Sequence, residues 1–271
     1  MKRRLSFISP LLAMLLFIAA CSQVALTGRN QFTMIPESQL NAMSFSEYDN
    51  LLSEYEIESG TADAQLVKTV GVRIKNSVET YFAQEGMSDQ LEGYEWEVNL
   101  LVDDDMVNAF CMPGGKVGVF TGMMDIAETP GQLATVMGHE VAHAIADHGN
   151  ERMSQQLITS LGGVALAVAL RDKPQETQML ALAAFGLGTQ IGILLPYSRT
   201  HESEADHLGL IFMAMAGYDP HEAVDFWENM AAMGGAAPPE WLSTHPSHET
   251  RIENLTEWMP EAMQYYQNSN K

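Results

Sequence analysis

The stretch His139-Glu140-Val141-Ala142-His143 decides how this chain is interpreted, because it has the spacing of a helical zinc site. Residues four apart lie on the same face of a helix, so both imidazoles can reach one metal ion. Zinc lowers the pKa of a bound water to about 7, and a carboxylate at Glu140 can take the proton of that water. The amphipathic pattern from Gln132 to about Asp147 predicts the helix that this geometry needs.

A zinc site of this kind needs a third protein ligand, since two histidines on an ordinary surface helix can show the same five residues by chance. In metzincin sites that ligand is a histidine six residues after the second one, with a glycine between them. Here Gly149 and Ala146 occupy those two positions, so that class is excluded. His148 lies only five residues after His143 and is interpreted as a polar residue at the helix end.

The segment over residues 198–206 supplies acidic candidates instead. Glu202 and Asp206 are four apart and share a helix face, whereas Glu204 points largely away from them. This geometry favours Glu202 as the zinc ligand and leaves Glu204 as a competitor. Asp206 can accept the outer ring N–H of a ligand histidine and fix its orientation. The alternative is a solvated acidic helix start.

Several segments together resemble the gluzincin zinc metallopeptidases of the CAAX prenyl protease and HtpX type, most of all the bacterial periplasmic lipoprotein members LoiP and BepA. The resemblance covers most of the chain after its N-terminal segment. The matching segments are Asn108-Ala109-Phe110, Pro113-Gly114-Gly115-Lys116-Val117, residues 139–154, residues 198–206, Thr244-His245-Pro246-Ser247 and Arg251-Ile252.

The resemblance implies that one Zn²⁺ is bound by His139, His143 and Glu202, with Glu140 as the base and Asp206 as a supporting acid. It also implies a latent state.

In this latent state, His245 occupies the position of the zinc-bound water as a fourth, regulatory ligand. The alternative is that His245, which precedes a proline, caps a helix. Arg199 and Arg251 are expected either to pair with buried acids or to touch substrate, and the sequence leaves both open.

The N-terminus has the pattern of a lipoprotein signal. Three basic residues, at positions 2–4, precede an uncharged apolar run over residues 11–20 that ends at Cys21. This run is shorter than the roughly 20 residues of a membrane helix, so cleavage before Cys21 is favoured over an uncleaved anchor. We therefore expect a signal peptide at 1–20, a lipidated tether at 21–35 and a metallopeptidase domain at 36–271. Resemblance to bacterial lipoproteins implies a lipid on Cys21, and Ser22 indicates the periplasmic face of the outer membrane.

The composition of the chain limits the classes of partner that it can bind. A net charge of −21 would repel nucleic acid and anionic membrane surfaces, so a lipid rather than a basic patch is expected to anchor the chain. Cys111 has no partner once Cys21 is acylated, so no intrachain disulfide is expected. No triad-like context surrounds Cys111, and we interpret it as a packed or loop thiol rather than a nucleophile.

The predicted fold is α+β and mainly helical, a zincin-type domain with a small sheet and an edge strand beside the active-site helix. Residues 94–102 alternate like a half-buried strand, and Pro113-Gly114-Gly115 leads into a second strand, 116–121, predicted to be the edge. An extended substrate can pair with such an edge, although a plain hairpin is the alternative. The apolar segments 157–170 and 179–196 are predicted as buried helices, with a membrane hairpin as the alternative.

These features predict a zinc-dependent endopeptidase on a lipid anchor that degrades misfolded or unassembled cell-envelope proteins. One alternative is a zinc-stabilised, chaperone-like lipoprotein that assists outer-membrane protein assembly with little proteolysis. A second is an integral-membrane peptidase. Glu140 separates the first two, because only hydrolysis needs a general base.

Overall fold

The computed structural model describes residues 21–24, 27–190, 194–232, 241, 245 and 250–269. The predicted signal peptide at 1–20 lies outside the described residues, as do residues 233–240 and the proline after His245. Within the described residues the fold is α+β and mainly helical, which confirms the predicted class.

The chain starts with an antiparallel hairpin, β1 (Cys21–Gln23) and β2 (Asn30–Phe32). The elements that follow are α1 (Glu37–Glu54), β3 (Ile57–Glu58), α2 (Ala62–Gln84), a 3-10 turn (Ser88–Leu91), β4 (Glu97–Leu101), β5 (Ala109–Met112), β6 (Lys116–Phe120), α3 (Thr121–Met124), α4 (Pro130–Ile145), α5 (His148–Leu170), α6 (Gln175–Thr189), α7 (Leu195–Met215), α8 (His221–Ala232) and α9 (Arg251–Ser269).

The main sheet has the strand order β3-β4-β6-β5, with β4 and β6 parallel and β5 and β6 antiparallel. The prediction that 116–121 forms the edge is therefore wrong. All five residues of β6 are buried inside the sheet, and the edge strand beside α4 is β5. Gly118 leaves room for a neighbouring side chain rather than for a substrate, because a Cβ there would lie 2.3 Å from the ring of Phe110.

Helix α4 runs through the middle of the core, where nearly every residue is buried. Its start follows from sequence, because the Thr129 side chain accepts the Gln132 N–H at 3.1 Å and Pro130 occupies the first turn. Helix α7 packs directly against it. The two backbones approach at glycines, since a Cβ on Gly138 would lie 2.9 Å from the carbonyl oxygen of Gly209.

Helices α5 and α6 form an exposed apolar hairpin, so the prediction that they are buried is wrong. None of the described residues 156–190 is buried, and Leu161, Val164 and Leu180 are 58%, 61% and 77% exposed. Helix α5 is the one helix of the described part that is long and apolar enough to cross a membrane. The sequence could not decide this, because an apolar helix has the same pattern in a core and at a lipid surface.

The segment predicted as a lipidated tether, 21–35, is folded onto the domain in its described part. Gly28 lies in the turn between β1 and β2 with a φ of 67°. The backbone N–H groups of Met34 and Ile35 donate to Ser154 Oγ and Asn150 Oδ1 at 2.8 and 3.3 Å. The hairpin β1–β2 is therefore fixed to the first turns of α5.

Candidate metal centre

Helix α4 brings the two motif histidines to one point. His139 and His143 lie one turn apart, and their Nε2 atoms are 3.1 Å from each other. His139 is buried, whereas the side chain of His143 is 12% exposed. The helical spacing in the sequence produces this convergence.

Helix α7 adds a carboxylate to the same point. Oε2 of Glu202 lies 3.5 Å from Nε2 of His139, and Oε1 lies 3.5 Å from Nε2 of His143. Nδ1 of His245 lies 3.2 Å from Nε2 of His139 and 3.1 Å from Oε2 of Glu202. These four side chains place one donor atom each within 4.8 Å of one another.

The donor set fits a zinc ion. Nitrogen and oxygen ligands at about 2.0–2.2 Å from zinc in a tetrahedron lie about 3.3–3.6 Å from one another, close to the separations found here. The charge balance agrees with this fit. Burial lowers the pKa of His139, but hydrogen bonds to Asp206 and Glu202 outweigh burial and raise that pKa to about 10. Asp206 and Glu202 therefore favour a positive charge next to His139, which a divalent ion would supply.

Asp206 and Arg251 contact the donor residues His139 and Glu202 and hold them in position. Oδ1 of Asp206 lies 2.9 Å from Nδ1 of His139, which leaves the Nε2 lone pair of that ring for a metal. Arg251 donates from Nε to Asp206 at 2.6 Å and from an Nη to Glu202 at 3.0 Å. Arg251 thus pairs with buried acids, while Arg199 is exposed.

Glu204, the alternative metal ligand, points to the other side of α7. Its carboxylate accepts hydrogen bonds from Arg29 Nε at 2.7 Å and from the hydroxyl of Thr27. It also lies 3.0 Å from Nε2 of His148. The geometry separates it from the donor cluster that contains Glu202.

His148 is the first residue of α5, at the helix end that its position suggested, but it is buried. It is 1% exposed, and its Nδ1 lies 2.8 Å from Nδ1 of His143. Asp147 creates this contact, because its left-handed backbone (φ 57°) turns the chain sharply between α4 and α5. The sequence contains no pattern that predicts this turn, although Asp is among the residues that tolerate it.

Glu140 faces a cleft between α4 and the edge strand β5. A cavity of about 280 Å³ there is lined by Asn108, Phe110, Cys111, Glu140, His143 and His245, among others.

Trp241 and His245 lie across this cleft, over Glu140. Trp241 donates its indole N–H to Oε1 of Glu140 at 2.6 Å, and Nε2 of His245 lies 3.4 Å from the same oxygen. The backbone N–H of Trp241 also donates to the carbonyl of Val107 at 3.1 Å, just before β5. Trp241 is not among the residues predicted from the sequence, where its one signal is its place four residues before His245.

Cys111 lines the same cleft as a free thiol. Burial, and secondarily the charge of Glu140, raises the pKa of Cys111 well above its usual range. The thiol is therefore protonated and unsuited to act as a nucleophile.

Residues 72–259 match the profile of Peptidase family M48. The chain belongs to this family. The M48 assignment confirms the enzyme class expected from the motif, a zinc metalloendopeptidase, and confirms zinc as its cofactor. It also confirms the gluzincin resemblance at the level of the family.

Curated relatives of this M48 chain include mitochondrial metalloendopeptidases named OMA1. The protein from Arabidopsis thaliana is 39% identical over 66% of this chain and 35% of its own length, and that from Schizosaccharomyces pombe is 33% identical over 88% and 66%. The Beta-barrel assembly-enhancing protease of Escherichia coli is 32% identical over 56% of this chain and 32% of its own length. The chain spans about a third to two thirds of these proteins.

These relatives contradict the expected address at the periplasmic face of a bacterial outer membrane. Matches over most of this M48 chain are to proteins named as mitochondrial, from fungi and vertebrates. The expected address rested on Ser22 and on the resemblance to bacterial lipoproteins, and these relatives do not support it. A closest relationship to the LoiP and BepA type is likewise not supported.

Proposed function

We propose that this M48 chain cleaves internal peptide bonds of misfolded or unassembled proteins, with His139, His143 and Glu202 as the ligands of one zinc ion. The convergence of these three donors beside the buried Glu140 is the observation that carries the proposal. The names of the relatives, metalloendopeptidase and assembly-enhancing protease, support a protein substrate.

When bound, zinc would polarise the scissile carbonyl and lower the pKa of a water molecule. Glu140 accepts the proton of that water and transfers it to the leaving amine. Asp206 keeps the His139 ring in the tautomer that leaves its Nε2 lone pair free, and Arg251 holds the carboxylates of Asp206 and Glu202 in place. Strand β5 offers its edge to an extended substrate, which would give affinity largely independent of side chains.

The position of His245 supports a latent state as part of this proposal. Nδ1 of His245 lies beside Nε2 of His139 and both Glu202 oxygens, where it would compete with water for zinc. At the same time, the indole N–H of Trp241 donates a hydrogen bond to the carboxylate of Glu140. Substrate binding would therefore have to displace the side chains of Trp241 and His245.

Membrane attachment completes the proposal, through a lipid on Cys21 and through the apolar hairpin α5–α6. An uncharged hydrocarbon layer suits this hairpin, because residues 153–170 and 177–198 contain no charged side chain in a chain of net charge −21. Flotation with phosphatidylcholine vesicles tests both routes. Cys21→Ser should remove the lipid-dependent part of binding and Val164→Glu the hairpin-dependent part, and a single route is shown if only one variant loses binding.

Glu140→Gln tests the enzymatic proposal, with Glu79→Gln on an exposed face of α2 as the matched control. Turnover of an unfolded substrate should fall by about 10²–10⁴-fold in Glu140→Gln, the usual contribution of a general base, while zinc content stays the same. The control should keep its activity. Equal turnover by Glu140→Gln would refute the role of Glu140 as the general base, whereas binding of the unfolded substrate without turnover in the wild type would favour a chaperone-like role.

A further inference from the structure

A buried chain of polar contacts joins the N-terminal hairpin to the metal centre. Its members beyond His143 are His148, Glu204, Arg29 and, in parallel, Glu151. Nδ1 of His148 lies 2.8 Å from Nδ1 of His143, and its Nε2 lies 3.0 Å from Glu204. Arg29 donates to Glu204 at 2.7 Å and to Glu151 at 2.9 Å.

One set of tautomers satisfies this chain. His143 needs its Nε2 lone pair for a metal, so its Nδ1 carries the hydrogen and donates it to Nδ1 of His148. His148 then carries its own hydrogen on Nε2 and donates it to the carboxylate of Glu204. Each of these hydrogen bonds therefore determines which ring nitrogen of the donating histidine carries the hydrogen.

Burial explains why a cation is required at the end of this chain. The carboxylates of Glu204 and Glu151 are 5% and 1% exposed, and an unpaired buried carboxylate costs several kcal/mol. Arg29 contacts both at once. Its fork geometry allows this double contact, which the single ammonium of a lysine cannot reproduce as well.

Glu151 pairs with His201 in the same way that Glu204 pairs with His148. It lies 2.8 Å from Nε2 of His201, whose ring stacks on His148 with centroids 4.2 Å apart. Two carboxylates and one guanidinium therefore lie behind His143. The hydrogen-bonded acid at the end of this chain raises the basicity of the His143 imidazole towards a metal ion.

We propose that Arg29 is a positioning residue for His143, acting through Glu204 and His148. This inference rests on the proposed role of His143 as a zinc ligand. It assigns to the N-terminal hairpin β1–β2 a part in the metal site, although the hairpin is more than 100 residues away in sequence and does not reach the donor cluster.

Arg29→Met tests the inference in the full chain, with Lys75→Met as a matched control because Lys75 forms only a surface pair with Glu79. Zinc affinity is measured by competition with a chelator, and ligand geometry by the absorption spectrum of the Co²⁺-substituted protein. Outer partners of metal ligands typically contribute about 10–100-fold to metal affinity, so Arg29→Met should lose about tenfold and shift the spectrum. The control should change neither.

Arg29→Lys and Thr27→Val keep the inference testable if Arg29→Met fails to fold. Arg29→Lys should restore part of the affinity lost in Arg29→Met, and Thr27→Val, which removes one donor to Glu204, should shift the Co²⁺ spectrum in the same direction. Wild-type zinc affinity and spectrum in all these folded variants would overturn the inference. Failure of the wild-type protein to bind zinc would instead overturn the proposed function.

Discussion

Gly209→Ala should disturb the metal centre without touching any donor. A Cβ at Gly209 would lie 2.8 Å from the backbone nitrogen of His139, about 0.6 Å short of an ordinary 3.4 Å contact. Backbone atoms cannot rotate away, so α7 has to move away from α4 by about that distance. Glu202 lies two turns earlier on α7 and would move with it.

The size of the effect is estimated separately for folding stability and for zinc binding. Overpacking of this kind costs about 1–3 kcal/mol of folding free energy. Metal sites tolerate changes of only about 0.2 Å in ligand distance, so a shift of 0.6 Å in Glu202 should weaken zinc binding by about tenfold.

The assay compares chemical unfolding and chelator competition in Gly209→Ala and Gly186→Ala. A Cβ at Gly186 in α6 meets nothing within 4 Å. That control should be neutral or stabilising by up to about 1 kcal/mol and keep wild-type zinc affinity. Wild-type stability and zinc affinity in Gly209→Ala would refute the reasoning that the glycine contact sets the distance between the ligand-bearing helices.

Four further outcomes are expected. His245→Ala should raise the hydrolysis of an unfolded substrate, and unchanged or lower turnover would argue against latency. Arg251→Met should cost about 3–5 kcal/mol of folding free energy in urea titrations, because it removes the guanidinium that pairs with the buried carboxylates of Asp206 and Glu202. Burial opposes ionisation of Glu204, but hydrogen bonds from His148, Thr27 and Arg29 lower its pKa from 4.5 to about 2; stability should therefore fall as the pH drops from 4.5 towards 2, and less so in Glu204→Gln. Cys111 should react with a thiol reagent more slowly in the folded protein than after unfolding, because burial raises its pKa.

The sequence predicted those parts of the site that depend on helical periodicity. The spacing of His139 and His143, and that of Glu202 and Asp206, sets each pair on one face, and the structure places Glu202 rather than Glu204 at the donor cluster. The contact of His148 with His143 was missed because it depends on a left-handed turn at a single residue. Periodicity carries no information about such a turn.

The sheet and the apolar helices show a different limit. A glycine-containing strand such as β6 fits an edge and an interior position equally well, and only its neighbours decide. Similarly, Leu161 and Val164 have the pattern of a core helix, yet within the described residues they face outwards. Burial in both cases depends on tertiary packing that local sequence does not encode.

Zinc content of the purified protein, measured with and without the Glu202 carboxylate, tests the central claim most directly. The account predicts one zinc ion per chain in the wild type and in Glu140→Gln, and loss of that ion from Glu202→Gln under the same mild chelation. Retention of zinc by Glu202→Gln with wild-type affinity would contradict it.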